Sequence, residues 1–356
     1  MGRAEAGARL MRILWRWLKR LIITLVVVVL GLLSPVLYVE TMCRGQAVAS
    51  DYTALLPPEH HRTESRTLMT YPEWQIVHAY DDYAEVIRTG DPHEYNFLQA
   101  ITGYWSSLCA LSEASAAHGG VDGPTRQMVH VIGVSFTAEL LLKAAYEETV
   151  GRVFTWLRGQ DRAPLDALSA DQAGRYASFL QQVPWYRWDF AADAQALRDN
   201  AGDSLRDRER AFALGLEFRA KAAYAQVIAA AVASTGFDEL RLRMIVTDLP
   251  EPLPDVDIIA ERPEGLELET PRYRELTHLM ARMAGAGADF VEIAGNDDIL
   301  LTVTSSEAEM PEALHSFPRQ GYGDYRHLLL IPVRDLAETL RGLEARGVTL
   351  EHIHDY

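Results

Sequence analysis

Residues 21–39, LIITLVVVVLGLLSPVLYV, run for nineteen positions without a charge. At 1.5 Å of rise per residue, a helix of that length covers about 28 Å, close to the hydrocarbon thickness of a bilayer. The segment before it, LMRILWRWLKR, carries Arg12, Arg16, Lys19 and Arg20 with Trp15 and Trp17 among them. Indoles at headgroup level beside cations facing anionic lipid make an interfacial anchor. Residues 1–20 hold six Lys/Arg against Glu5 alone, and past the span only Arg44 is basic before His60. The positive-inside rule therefore predicts a cytoplasmic N-terminus and an exported body, as in a single-pass protein of a bacterial inner membrane. A cleaved signal peptide competes, through Ala47-Val48-Ala49. That site lies well beyond Val39, and the apolar run is longer than a signal-peptide core of roughly 7–15 residues. An uncleaved anchor is the expectation.

Charge supports this geography. The 356 residues carry a net charge of −16, of which residues 1–20 contribute +5 and the rest −21. An acidic body on a basic-flanked anchor suits a domain standing off an anionic membrane. Nucleic-acid binding is excluded as an expectation, because it needs a basic footprint. Two cysteines exclude a disulfide-dense scaffold. Cys43 reads as a juxtamembrane free thiol or a crosslink between copies, and Cys109, among apolar neighbours in GYWSSLCALS, as an inert core thiol.

Beyond the tail (1–20) and the anchor (21–39), residues 40–66 lack periodicity, contain Pro57-Pro58 and read as a linker, with His60-His61 solvated. Residues 67–236 carry helical signals. Thr70-Tyr71-Pro72-Glu73, Asp91-Pro92-His93-Glu94, Asp122-Gly123-Pro124 and Ser169-Ala170-Asp171-Gln172 mark starts, predicting helices near 71–89, 92–117, 124–158, 169–183, 189–200 and 205–234. Five tryptophans in this stretch, Trp156 among them, are expected to fill gaps between helices. In residues 237–356 the pattern changes to short alternating runs. Strands are expected at 241–246, 290–293, 299–303, 328–333 and from 348, with an extra one at 256–259 and helices at 273–283 and 335–345. Gly295-Asn296-Asp297-Asp298 reads as a hairpin turn. The order suggests an α+β domain with a ferredoxin-like pattern, one mostly antiparallel sheet with helices on one face. A single transmembrane helix, an all-α domain and an α+β domain make up the expected fold.

Chemistry-bearing motifs are sparse. No Walker sequence, Cys-x-x-Cys, HExxH or EF-hand loop is present, and no cofactor is expected. His352 and His354, two apart on the last strand, share a face and are weak metal candidates without an identifiable third ligand. One feature rises above these. Only three lysines occur, and the two outside the tail sit in matching segments, ELLLKAAY (139–146) and EFRAKAAY (217–224). Helical spacing puts Glu139, Lys143 and Tyr146 on one stripe, and Glu217, Lys221 and Tyr224 on another. Three readings stand: exposed Glu–Lys pairs, a buried structural cluster, or a pocket in which lysine binds an anion or acts as base. Spanning of the membrane by these helices is disfavoured by the cost of their charges, about 2.5–3.5 kcal/mol each. The expected function is a membrane-anchored accessory or binding protein, with a membrane or periplasmic protein as partner. The alternative is an enzyme or anion-binding protein using the Glu/Lys/Tyr cluster.

Overall fold

The computed structural model describes residues 2–49, 52–62, 64–235, 240–249 and 253–355, with backbone alone for 2–10, 12–14, 64–66 and 231–235. Helix α1 (Gly2–Met42) takes in the basic flank and the apolar run together. Its apolar side chains, such as Leu25 and Leu30, are exposed, and its Trp15–Met42 stretch is long and apolar enough to cross a membrane. Only its end joins the rest of the chain. Val39 and Cys43 are buried there, and Glu40 contacts His130 (2.8 Å) and Arg126 (3.6 Å).

The helical region comprises α2 (Glu64–Thr89), α3 (Phe97–Ala114), α4 (Gly123–Tyr146), α5 (Arg152–Arg158), α6 (Pro164–Leu180), α7 (Phe190–Asp199) and α8 (Leu205–Thr235). A single π turn, Glu147–Gly151, joins α4 to α5. Short polar side chains close the orphan amides at the starts: Asp122 accepts from Thr125 N (2.7 Å), Asn96 from Gln99 N and Asp189 from Ala192 N. The start expected at Thr70 is wrong, because α2 begins at Glu64 and Pro72 lies inside it. Thr70 donates to Thr67 O (2.7 Å) instead of capping, and burial of Leu68, Met69 and Tyr71 keeps the preceding turn helical despite the proline. The start expected at Ser169 is also displaced, to Pro164, where Asp166 accepts from Ala163 N (3.1 Å). Trp74 and Trp105 fill gaps between helices, but Trp156 is 78% exposed.

Cys43 and Cys109 are neither free thiol nor inert core thiol. They form a disulfide, with a Cα–Cα distance of 5.1 Å, across 66 residues. The last turn of α1 packs against the middle of α3, a contact that no local pattern encodes.

The α+β region is not one ferredoxin-like layer. It holds β1 (Arg241–Thr247), β2 (Asp257–Arg262), β3 (Gly265–Pro271), α9 (Tyr273–Ala286) and β4 (Asp289–Ile293), then β5 (Asp298–Ser305), β6 (His315–Pro318), β7 (Tyr325–Pro332), α10 (Val333–Gly342) and β8 (Thr349–His354). Two four-stranded antiparallel sheets result, ordered β2-β3-β1-β4 and β6-β7-β5-β8. The second unit therefore repeats the first: three strands, a helix and a strand in the same spatial order. Strands β3 and β6, absent from the sequence reading, complete the two sheets. The hairpin expected at 295–298 is instead the junction between them, since β4 pairs with β1, and β5 with β7 and β8. Gly295, at φ +79°, makes that junction, with His61 packed where a Cβ would stand.

Both units share one core, Met244, Leu268, Leu279, Phe290, Leu301 and Leu336 among its members. Leu300 and Leu328 point the other way, into the core of the helical region with Tyr71 and Trp74. That explains why β5 and β7 read as apolar runs: both faces are buried. The segment expected as a loose linker is docked on the first sheet. The buried Glu292 carboxylate accepts from Leu55 N (2.6 Å), Leu56 N (2.8 Å) and the Tyr52 hydroxyl. His61 is not merely solvated, since its Nε2 meets Leu56 O at 2.6 Å.

Candidate functional site

Helices α4 and α8 bring the two Glu-x-x-x-Lys stripes together. Each lysine reaches the glutamate of the other copy: Lys221 Nζ lies 2.7 Å from Glu139, and Lys143 Nζ 3.5 Å from Glu217. Lys221 also closes the pair within its own helix, 3.0 Å from Glu217. Helix α2 provides the floor. Tyr80 donates to Glu139 (2.6 Å) and accepts from Lys221 (3.3 Å), while the Lys143 ammonium sits 4.3 Å from the centre of the Tyr83 ring. The tyrosines of the motif do not join this quartet. Tyr146 donates to Glu209, and Tyr224, largely exposed, stacks on Trp185.

Burial alone would raise Glu217, yet the Lys143 and Lys221 ammoniums hold it down at about 2. Burial also opposes the lysine charges, but the carboxylates facing them outweigh it, Glu217 for Lys143 and Glu139 for Lys221. Both lysines titrate above their ordinary range. An amine held protonated is a poor base and a poor nucleophile. The void beside Lys143 is only about 10 Å³, room for at most one water. This geometry suits holding helices in register.

A second buried seam continues from it. The π turn rotates Glu147 inward, where Arg210 binds it with two bonds (2.9 and 3.0 Å) and reaches Glu209 at 2.8 Å. Arg206 joins Glu209 and Asp166, both at 2.9 Å, and Arg158 joins Asp166 (2.7 Å) and Asp91 (2.8 Å). Arg206 and Arg210 are each 1% exposed. The sequence reading missed them, since LRDRERAF resembles a solvated run. The available signal was helical spacing, which puts Arg206 and Arg210 on one face and Phe212 on the opposite one, so that only one of the two faces can turn inward.

His352 and His354 are buried against α2. His352 stacks on Trp74 (centroids 3.5 Å apart) and meets Thr277 Oγ1 at 3.0 Å; His354 meets Thr302 Oγ1 at 2.6 Å. His78 of α2 lies alongside, 3.7 Å from Glu351. Among the described residues, only Cys43, Cys109 and Glu113 form a group of three with all ligand atoms within 4.8 Å, and both sulfurs there are already in the disulfide. Burial pushes all three imidazoles down, reinforced by Arg326 at His78 and by His354 at His352, with His354 at about 3. Only the unfolded chain then takes up these protons below pH ~6.5, so each imidazole removes up to about 1.4 kcal/mol of stability per pH unit between there and its folded pKa. Thermal unfolding is expected at lower temperature at pH 5 than at pH 7, and His354→Asn should narrow the gap. Equal gaps in both proteins would contradict this.

The sequence reading also missed a cleft of about 230 Å³ between α2, α3 and β6. Ser106 Oγ lies 3.1 Å from His315 Nε2 at its wall, with Gln75, Gln99 and Asp82 nearby. Ser106 sits within a helix and also donates to Gly103 O, so its neighbouring amides are committed to helical bonds rather than to an oxyanion. The cleft offers polar contacts to a small ligand without a nucleophile's full surroundings. Comparison with family models, with curated proteins and with solved structures found no match to this chain.

Proposed function

We propose that this chain is a membrane-anchored accessory or binding protein of a bacterial inner membrane, with its N-terminus in the cytoplasm and its folded part outside. The observation carrying this reading is the Cys43–Cys109 disulfide, one turn after the buried Val39 of α1. Such bonds persist in oxidising compartments. This one also fixes the folded part directly to the end of the apolar helix, as suits a module held at a set height above a bilayer. The six basic residues of the tail support the same orientation. Paired, protonated lysines without a ligand-sized void favour binding over catalysis.

A reporter fused after Tyr356 is expected to be active only in an exported-side assay, and intact cells should yield alkylated Cys43 and Cys109 only after reduction. Freely alkylated thiols without reduction would overturn the reading. Lys143→Arg and Lys221→Arg keep cations opposite Glu217 and Glu139, so in-cell capture of a protein partner should survive both. Loss of cellular function through both replacements while capture persists would favour the enzyme or anion-binding alternative.

A further inference from the structure

We infer that the outer face of α4–α5 and α8 lies on the bilayer that α1 enters, in contact with its acyl chains. This rests on the anchor reading above and adds a second, non-spanning membrane contact.

Polarity is inverted on these helices. Glu139, Lys143, Glu147, Arg206, Arg210, Glu217 and Lys221 all turn into the paired seams. Outward stand Val131 (58% exposed), Leu142 (75%), Trp156 (78%), Phe212 (69%), Leu216 (55%) and Val227 (64%). No charged side chain of α4 between Gln127 and Tyr146 is exposed; beyond it Glu148 and Arg152 are exposed and neutralise each other in an ion pair of 2.8 Å. Exposed apolar side chains on helices joined by these seams point to an interaction surface, and inward-paired charges with outward apolar residues are what lipid contact selects.

Three observations favour lipid over a protein partner. The face begins at the anchor's exit, where Glu40 of α1 holds Arg126 and His130 of α4. The stretch Gly123–Arg158 is long and apolar enough to cross a membrane, and most of its most apolar part is not buried in protein. On α8, among the described residues, the exposed charges are Arg208 and Arg219, both cations on a chain of net charge −16. Cations bordering an apolar helical face suit anionic headgroups above acyl chains. The inner side of α4 packs on α2 and α3 through Gly133, where a Cβ would strike the Tyr104 and Trp105 rings. One side is protein, so the helix lies on the membrane rather than crossing it.

A photoreactive benzophenone side chain placed singly at Leu30, Leu142, Phe212 or Ile259 of the full chain tests this. Each variant would be reconstituted in phosphatidylethanolamine/phosphatidylglycerol vesicles, checked for an intact disulfide and irradiated. Lipid adducts are expected at Leu30, Leu142 and Phe212 and none at Ile259, which is exposed on β2. Lipid at Leu30 with only a second copy or no adduct at Leu142 and Phe212 would overturn the inference and leave the anchor standing. No lipid at Leu30 would overturn both. Repeating the irradiation in native membranes extends the test: a different protein captured at Leu142 and Phe212 in place of lipid would likewise overturn it.

Discussion

Cys43→Ser is expected to lower the unfolding free energy by about 4 kcal/mol, the chain-entropy value for a loop of this length. The bridge closes 66 residues that include α2 and most of α3. Without it, the unfolded chain regains the freedom of that loop, while the folded end of α1 keeps the packing of Val36 and Val39 and the Glu40 contacts with His130 and Arg126. A fall in melting temperature on the order of 10 °C follows for a chain of this size. Cys109→Ser and the double replacement should match the single one, because all three remove the same bond. Thermal unfolding in detergent, with and without reductant, reads this directly. An unchanged midpoint after complete reduction would mean that the bridge does not constrain the unfolded chain.

Arg210→Met is expected to cost about 3–5 kcal/mol, the range for removing one partner of a buried ion pair. The guanidinium is 1% exposed and lies between Glu147 and Glu209, both nearly as buried. Deleting it leaves two buried carboxylates, with Arg206 still holding Glu209 and, among the described residues, no other ion-pair partner within 4 Å of Glu147. Replacing Glu147 as well, in Arg210→Met/Glu147→Leu, removes the stranded charge and should recover much of the loss. A double-mutant cycle measured by chemical unfolding isolates that coupling. A single replacement costing under about 1 kcal/mol would mean that water reaches the seam and screens it.

The lysine count illustrates what could be read beforehand. Two stripes with matching spacing could be placed on helices from residue identity alone, and Arg219 implied that Glu217 and Lys221 turn inward. Their crossed pairing could not be foreseen, nor could the replacement of Tyr146 and Tyr224 by Tyr80 and Tyr83 of α2. Those contacts depend on how α2, α4 and α8 cross, which side-chain periodicity does not encode. The two missed strands have a similar cause. β3 alternates as Leu266-Glu267-Leu268-Glu269, but glutamates are depleted from strands and Glu267 is held there by Arg243 and Arg262, while β6 is only four residues long. The supposed hairpin had suitable turn residues, but strand partners are chosen by the sheets that can close around them.

By itself the sequence determined the features that arise from neighbouring residues. These are the uncharged run with its basic flank, the existence and approximate places of the helices that follow from apolar period, and the acidic charge of everything after residue 20. Tertiary structure alone decided the Cys43–Cys109 bond, the doubled β-β-β-α-β unit and the inversion that puts charges inside and apolar residues outside on α4 and α8. The division has a physical reason. Backbone propensity and hydrophobic period act over a few residues, whereas partners such as Glu147 and Arg210, 63 residues apart, are matched only when packing brings their helices together.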